Sequence, residues 1–392
     1  MTMTNKNTWM LPEGIDELLP DGAMKIEHIR RDLLDLFKGW GYQYVIPPMV
    51  EYLDALLTGT GSDLALQTFK LTDQISGETL GLRADMTPQV ARMASKHLHK
   101  KAPVRLCYLG SILQARGSKI EKSRSPIQVG AEIYGSQHVK SDVEIVRLML
   151  ETLAYAGVQD VHLDLGHVGI FRGLAKKANL SAEQESELFD VLQRKATDEV
   201  KELLASYALD KAWQTVFFKL LSLNGDIDVL DEAKSDLSLG GDDVLEAIDE
   251  LQQLAKMLKK IYPALPLYFD LAELRHYQYQ TGIVFAAFVP GFGSEIARGG
   301  RYDNFVGHGS DSLAATGFSA DLKVLSRLSQ LNDHQEEDII WAPDDADVKL
   351  HELIRELRVL GEIVVQALPD DLEAPKHTRK LVNVSGQWQL SD

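Results

Sequence analysis

Residues 109–135 read LGSILQARGSKIEKSRSPIQVGAEIYG, two strand-like ends joined by a basic loop that carries Arg116, Lys119, Lys122 and Arg124. Strands that cluster in hairpins with helices between them argue for an antiparallel sheet covered by helices, an α+β fold. The flanking sequence has to supply those helices.

Upstream, residues 22–41 set Ile26, Ile29, Leu33, Leu36, Phe37 and Trp40 on one helical face, and Gly39 and Gly41 offer a stop. YQYVIPPMVEY at 42–52 reads as a strand, and Pro47 and Pro48, which donate no ladder hydrogen bond, put it at a sheet edge where a subunit contact can form. Residues 80–98 read as a strand end and then a helix. Residues 141–158 read as a helix with Ser141 at its N-cap and Gly157 at its end.

Downstream, residues 178–262 turn strand-poor and helix-rich, and 181–260 hold nine basic against eighteen acidic residues, more than half of the chain's excess charge. Within them 243–263 reads as a helix started by Asp243 and Glu246. Strands return at 266–274 and 281–292, followed by a glycine-rich stretch at 294–309 and a helix over 312–330. Residues 338–392 read as a small α/β unit: strand, helix to Leu360, strand, and a hairpin about Ser385 and Gly386. The expected division is a core over 1–177 and 263–332, a helical insert over 178–262 and a C-terminal domain over 333–392.

The chain has 392 residues and a formal charge of −17, which disfavours extended nucleic acid contact because such binding relies on Lys and Arg neutralising phosphates. Cys107 is the single cysteine, so a disulfide within the chain and a cysteine-rich zinc site are excluded, and a buried structural thiol is expected. The longest apolar run, 283–292, is too short to span a bilayer, and no leader opens the sequence. A cytoplasmic protein without membrane contact is expected. His97 and His99 suit a helix C-terminus rather than a metal, and GTGSDL at 59–64 lacks the lysine and setting of a phosphate loop.

Several separated motifs, in order over residues 10–330, resemble histidyl-tRNA synthetase, a class II aminoacyl-tRNA synthetase. GYQYVIPPMVEY is similar to the helix-and-strand motif through which that class dimerises, and LRADMTPQVARMA, with Asp85 and Thr87, resembles the stretch that meets the amino group of the amino acid. The hairpin resembles the one that grips ATP, yet Gln114 stands where the family carries arginine and Arg116 where it carries an acidic residue. GFSADLKVL at 317–325 puts Lys323 and Val324 in the place of a Glu-Arg pair. Because a guanidinium holds the charge of a transferring phosphoryl group bidentately and an amide does not, the loss of both arginines argues against ATP activation. Amino acid contacts are kept in part: Gln128 and Glu132 in IQVGAEIYG, Tyr302 in GGRYD, and Arg275, Tyr279, Thr281 and Gly282 in RHYQYQTG at 275–282.

A synthetase's anticodon-binding domain is nearly twice as long as the C-terminal remainder. The whole resembles the regulatory subunits of bacterial ATP phosphoribosyltransferase, a family with a class II synthetase-like antiparallel sheet flanked by helices. That resemblance implies a chain without chemistry, cofactor or metal, which activates a short-form catalytic subunit in the first step of histidine biosynthesis and carries feedback by L-histidine. It also implies a homodimer through the class II core within a hetero-octamer. The implied histidine contacts are Asp85, Thr87, Gln128, Glu132, Arg275, Tyr279 and Tyr302; Arg116, Lys119, Lys122 and Arg124 would meet the partner or another anion. Against these stand a solvated loop, polar groups that merely satisfy one another, a divergent histidyl-tRNA synthetase, and a stand-alone histidine sensor or other amino acid ligase.

Overall fold

The computed structural model describes residues 10–58, 62–97, 103–117, 122–272, 280–303, 313–331, 338–371 and 379–391. They form two compact units, Met1–Gln330 and Leu331–Asp392.

The hairpin at 109–135 lies inside a longer one. Val104–Ser111 pairs antiparallel with Ile127–Tyr134, with Leu106 opposite Glu132 and Gly110 opposite Gln128. Around it the larger unit builds a nine-stranded sheet in the order Gln43–Tyr44, Val104–Ser111, Ile127–Tyr134, Ala315–Asp321, Ala297–Tyr302, Ile283–Phe288, His162–His167, Leu267–Asp270, Asn224–Gly225. Its middle is antiparallel, as expected, but Gln43–Tyr44 joins Val104–Ser111 in parallel and Leu267–Asp270 joins His162–His167 in parallel. The sheet is therefore mixed towards its ends.

The segment 42–52 is not one strand. Gln43–Tyr44 edges the large sheet, whereas Val50–Tyr52 pairs with Thr79–Leu82 in a separate three-stranded sheet completed by Lys70–Thr72. Pro47 and Pro48 fall at the break, where their missing N–H groups cost nothing. Buried Arg83 ties the two regions, donating from Nε to Ser111 O at 2.8 Å and from Nη1 to Pro47 O at 2.7 Å.

Two further readings need correction. The segment 312–330 contains the strand Ala315–Asp321 before the short helix Leu322–Leu328, and the glycine-rich stretch contains the strand Ala297–Tyr302. Ala315, Thr316, Gly317 and Phe318 are all buried between neighbouring strands, so tertiary packing overrides the local pattern. Helix starts also differ. Val139–Tyr155 begins after His138, whose Nδ1 accepts from Lys140 N, and Asp242–Ile261 begins after Gly241 with no side-chain cap, while Asp243 pairs with Lys176 at 2.9 Å.

The longer helices cover one face of the sheet, and Thr87–His97 packs on the other. Pro20–Gly39 buries Ile26, Ile29, Leu33, Leu36 and Phe37, and Asp242–Ile261 buries Val244, Ile248, Leu251, Leu254 and Leu258 in the same core as Leu163, Leu165 and Phe285. The helix-rich segment is thus continuous with the sheet's core. Cys107 is buried there, and burial pushes its thiol up to about 12. No helix among the described residues is long and apolar enough to cross a membrane.

The C-terminal unit orders its strands Ile363–Gln366, Ile339–Ala342, Arg379–Val384, Gln387–Ser391. The helix Val348–Val359 packs Leu350 and Ile354 on Ile340, Val364 and Leu381. Ser385 and Gly386 turn the last hairpin with φ of 53° and 83°, both left-handed, as a two-residue loop matched to strand twist requires.

Candidate functional site

Residues opposite one another in a sheet share a face, and this places three rows of side chains on the face opposite the main helical layer, where only the helix Thr87–His97 packs, through Val90, Ala91 and Ala94 on Tyr108, Tyr134 and Tyr302. One row runs Glu132, Gly317, Gly300, Val284, Gly166; the next runs Tyr108, Gly130, Ser319, Arg298, Ala286, Asp164. The third brings Tyr134, Ala315 and Tyr302 together. The glycines hollow the sheet. A Cβ on Gly317 would lie 1.5 Å from Glu132 Oε2, one on Gly130 2.5 Å from the Tyr108 hydroxyl, and one on Gly300 2.4 Å from Gln280 Oε1.

Above this floor is a cavity of about 110 Å³, lined among others by Asp85, Thr87, Glu132, Asp164, Gln280, Glu295, Arg298 and Tyr302. Its size suits a metabolite smaller than the drug-sized ligands that fill pockets of roughly 300 Å³ and above. Glu132, 1% exposed, is its most buried ionisable group. Tyr108 donates to Glu132 Oε1 at 3.0 Å and Tyr302 to Oε2 at 2.7 Å, while the Tyr302 and Tyr134 hydroxyls are 3.2 Å apart. Burial outweighs these hydrogen bonds and pushes the Glu132 carboxyl up to about 8. It also holds the Tyr108 and Tyr134 phenols well above their usual range, with the Glu132 charge as the second cause.

Asp85 is held at the mouth by the chain itself. Its Oδ1 accepts from Thr87 N at 2.9 Å and from Gln128 Nε2 at 2.8 Å, and Gln128 Oε1 accepts from Met86 N at 2.8 Å. Both ends of the Gln128 amide are spent on this clamp, so Gln128 orients Asp85 rather than lining the cavity. The Thr87 hydroxyl meets the Tyr108 hydroxyl at 2.9 Å. Asp85, Thr87, Glu132 and Tyr302 are thereby brought to one site. Arg275, Tyr279 and Lys119 lie outside the described residues. Arg116 and Lys122 are exposed, whereas Arg124 is half-buried and occupied, donating to Gln114 O at 3.0 Å and to Glu13 O at 3.0 Å and lying 4.8 Å from the centre of the Phe69 ring.

The sequence reading missed Tyr108, Tyr134, Asp164, Gln280, Glu295 and Arg298. Gln280 stood in RHYQYQTG among residues that were considered, and Tyr134 shares the period of two with Gln128 and Glu132; the others lacked a local signal. Gln280 is buried, and its Oε1 has no hydrogen-bond partner among the described residues. An orphaned acceptor in a pocket calls for a donor on the ligand. The charges agree: Asp85, Glu132, Asp164 and Glu295 face Arg298, which pairs with Glu295 at 3.0 Å. This lining offers acceptors and carboxyl groups to a donor-bearing molecule.

A second cavity of about 360 Å³ shares Asp85, Glu295, Arg298 and Ser319 and extends past Gln114, Asp321 and Val324. Gln114 turns its amide to Ala84 O at 3.4 Å, and Lys323 turns away to Asp16 at 3.0 Å and Ser125 at 3.2 Å. Arg298 is the single cationic side chain lining it among the described residues, against three carboxylates. A triphosphate has little to hold it here.

Gly317→Ala is expected to evict the Glu132 carboxylate, because the Cβ must fit between Oε2 and Ala131 O at 2.8 Å in a strand held on both sides. Urea unfolding should show a loss of about 1–3 kcal/mol.

The histidyl-tRNA synthetase family matches residues 14–325, and the ATP phosphoribosyltransferase subunit HisZ C-terminal domain matches residues 337–391. An ATP phosphoribosyltransferase regulatory subunit of Methylococcus capsulatus is 54% identical over 92% of this chain and 89% of its own, and one of Ectopseudomonas mendocina is 50% identical over 99% of each. The chain belongs to the ATP phosphoribosyltransferase regulatory subunit family. In that family the chain is a regulatory subunit in histidine biosynthesis and not the catalyst. A solved structure from Bacillus halodurans, described as an ATP phosphoribosyltransferase regulatory subunit/histidyl-tRNA synthetase, superposes with a TM-score of 0.81 at 26% identity over 93% of this chain and 94% of its own. Histidyl-tRNA synthetase from Nostoc sp. shares the fold, with a TM-score of 0.74 at 18% identity over 93% of this chain and 86% of its own.

Proposed function

We propose that this chain activates a short-form catalytic ATP phosphoribosyltransferase and transmits inhibition by L-histidine, which it binds in the glycine-floored cavity. The observation that carries the reading is the cavity's chemistry: an acidic lining, an orphaned acceptor at Gln280 Oε1 and, among the described residues, Arg298 as the single cation beside it. Glu132 would take the ammonium of histidine and Asp85 its imidazole, and Arg275 and Tyr279 would complete the contact set. The chain would form a homodimer through the synthetase-like core, enter a hetero-octamer in the cytoplasm, and use Arg116, Lys119 and Lys122 towards the partner. Only state-selective binding couples two sites, so histidine must favour the arrangement in which the partner is inactive.

Mixing the purified chain with a short catalytic subunit should raise that subunit's turnover, and histidine should reverse the rise. The chain alone should catalyse no histidine-dependent exchange between ATP and pyrophosphate. Robust exchange, or no effect on the partner, would sink the proposal.

A further inference from the structure

On the helix-covered side of the large sheet, a groove of about 480 Å³ runs between the ends of three helices, lined by Trp40, Gly41, Arg105, Lys140, Val143, Glu144, Arg147, Met257 and Ile261. It shares no residue with either cavity described above, and its volume falls within the few hundred Å³ of small-molecule sites. In a chain of net charge −17 it gathers three cations.

Their pairing is uneven. Arg105 is neutralised, its Nε and Nη2 donating to the two oxygens of Glu144 at 2.6 and 2.8 Å, and Tyr42 donates to the same carboxylate at 3.1 Å. Glu151, the other carboxylate at hand, accepts from Trp40 Nε1 at 3.0 Å. Lys140 is exposed and has no carboxylate partner among the described residues. Arg147 lies over the Trp40 ring, 5.1 Å from its centre, and near enough to Glu144 to help keep that carboxylate ionised, yet its Nε is buried without an acceptor among the described residues. A buried guanidinium N–H left unpaired is costly, and the acceptor that suits it best is an oxyanion held by fork-like hydrogen bonds. Trp40, Val143, Met257 and Ile261 supply an apolar wall beside it.

We propose that this groove binds a small phosphorylated ligand bearing a planar ring, with the phosphate on Arg147 and Lys140 and the ring on the apolar wall. Nucleoside monophosphates are the simplest members of that class.

The test is titration of the full-length chain with AMP, followed by tryptophan fluorescence, with Trp40→Phe to show which indole reports. Saturable quenching that disappears in Trp40→Phe is expected. Adenosine, lacking the phosphate, should bind at least about tenfold more weakly, as should AMP to the Lys140→Gln/Arg147→Gln double variant, the loss of one charge-assisted hydrogen bond being enough for that. Arg147→Lys should recover part of the affinity. Absence of saturable AMP binding, equal binding of adenosine, or unchanged binding to the double variant would each overturn the assignment. So would conversion of the double variant to a smaller oligomer in light scattering, which would make these cations a contact between copies of the chain.

Discussion

Glu132→Gln is expected to make the protein more resistant to urea at pH 9 while removing the response of the complex to histidine. Glu132 is 1% exposed, and burial pushes its carboxyl from an ordinary 4.5 up to about 8 despite hydrogen bonds from Tyr108 and Tyr302. With the folded value above the unfolded one, the native state holds this proton more tightly. Stability from this group is therefore fully present below pH 4.5 and is lost progressively as pH rises through about 8. A shift of this size corresponds to a cost on the order of a few kcal/mol once the group is ionised. The neutral amide avoids it, and its oxygen still accepts from one tyrosine. Urea unfolding of wild type and variant should diverge at pH 9 and converge near pH 4.5; an equal loss of stability at both would mean that Glu132 is an ordinary structural anchor.

The same group sets how histidine capture should vary with pH. The ammonium of histidine, placed against Glu132 and charged throughout this range, favours the carboxylate, so binding must draw off the proton that the empty cavity keeps. Inhibition by histidine should accordingly strengthen between pH 6 and 8 in the wild type, and Glu132→Gln should abolish it. Steady-state turnover of the assembled complex at several histidine concentrations reads both. An affinity independent of pH would place the charged end of histidine elsewhere in the cavity.

Much of this arrangement was legible because it is carried by residues with local signals. The hairpin at 109–135, the amphipathic helices and the C-terminal unit follow from periodicity, and Asp85, Thr87, Glu132 and Tyr302 follow from motifs. The replacement of the family's arginines by Gln114 and Val324 was legible for the same reason. What escaped depends on register. Gly317 sat in a stretch taken for a helix, because its small neighbours carry no strand signal and its value appears only when Glu132 is found beside it. Asp164 and Arg298 belong to strands far apart in sequence that share a row only once Ala286 lies between them. The break of 42–52 into two sheets likewise needs the partners of each half, although its prolines marked the place.

Arg301→Leu is expected to be the most damaging single change to stability. Its neighbours Gly300 and Tyr302 face the cavity, so Arg301 points to the opposite face, where it meets the helix Val139–Tyr155. Nη2 lies 2.6 Å from Asp142 Oδ2 and 3.0 Å from Ser141 Oγ, and Nη1 donates to Ser136 O at 2.9 Å. Both charged side chains are buried, at 7% and 1% exposure. Burial outweighs the guanidinium and keeps the Asp142 carboxyl above its ordinary value, so the pair itself contributes little net stability. Removing only the arginine is another matter, since it would leave the buried Asp142 carboxylate with little more than the Ser141 and Thr316 hydroxyls nearby. The expected cost is about 3–5 kcal/mol by urea unfolding, and Asp142→Leu/Arg301→Leu should recover most of it. A double variant as unstable as the single one would locate the loss in the bonds to Ser136 and Ser141 instead. Because Arg301 fixes one face of the strand whose other face carries Gly300 and Tyr302, the helix it anchors also sets the floor of the cavity.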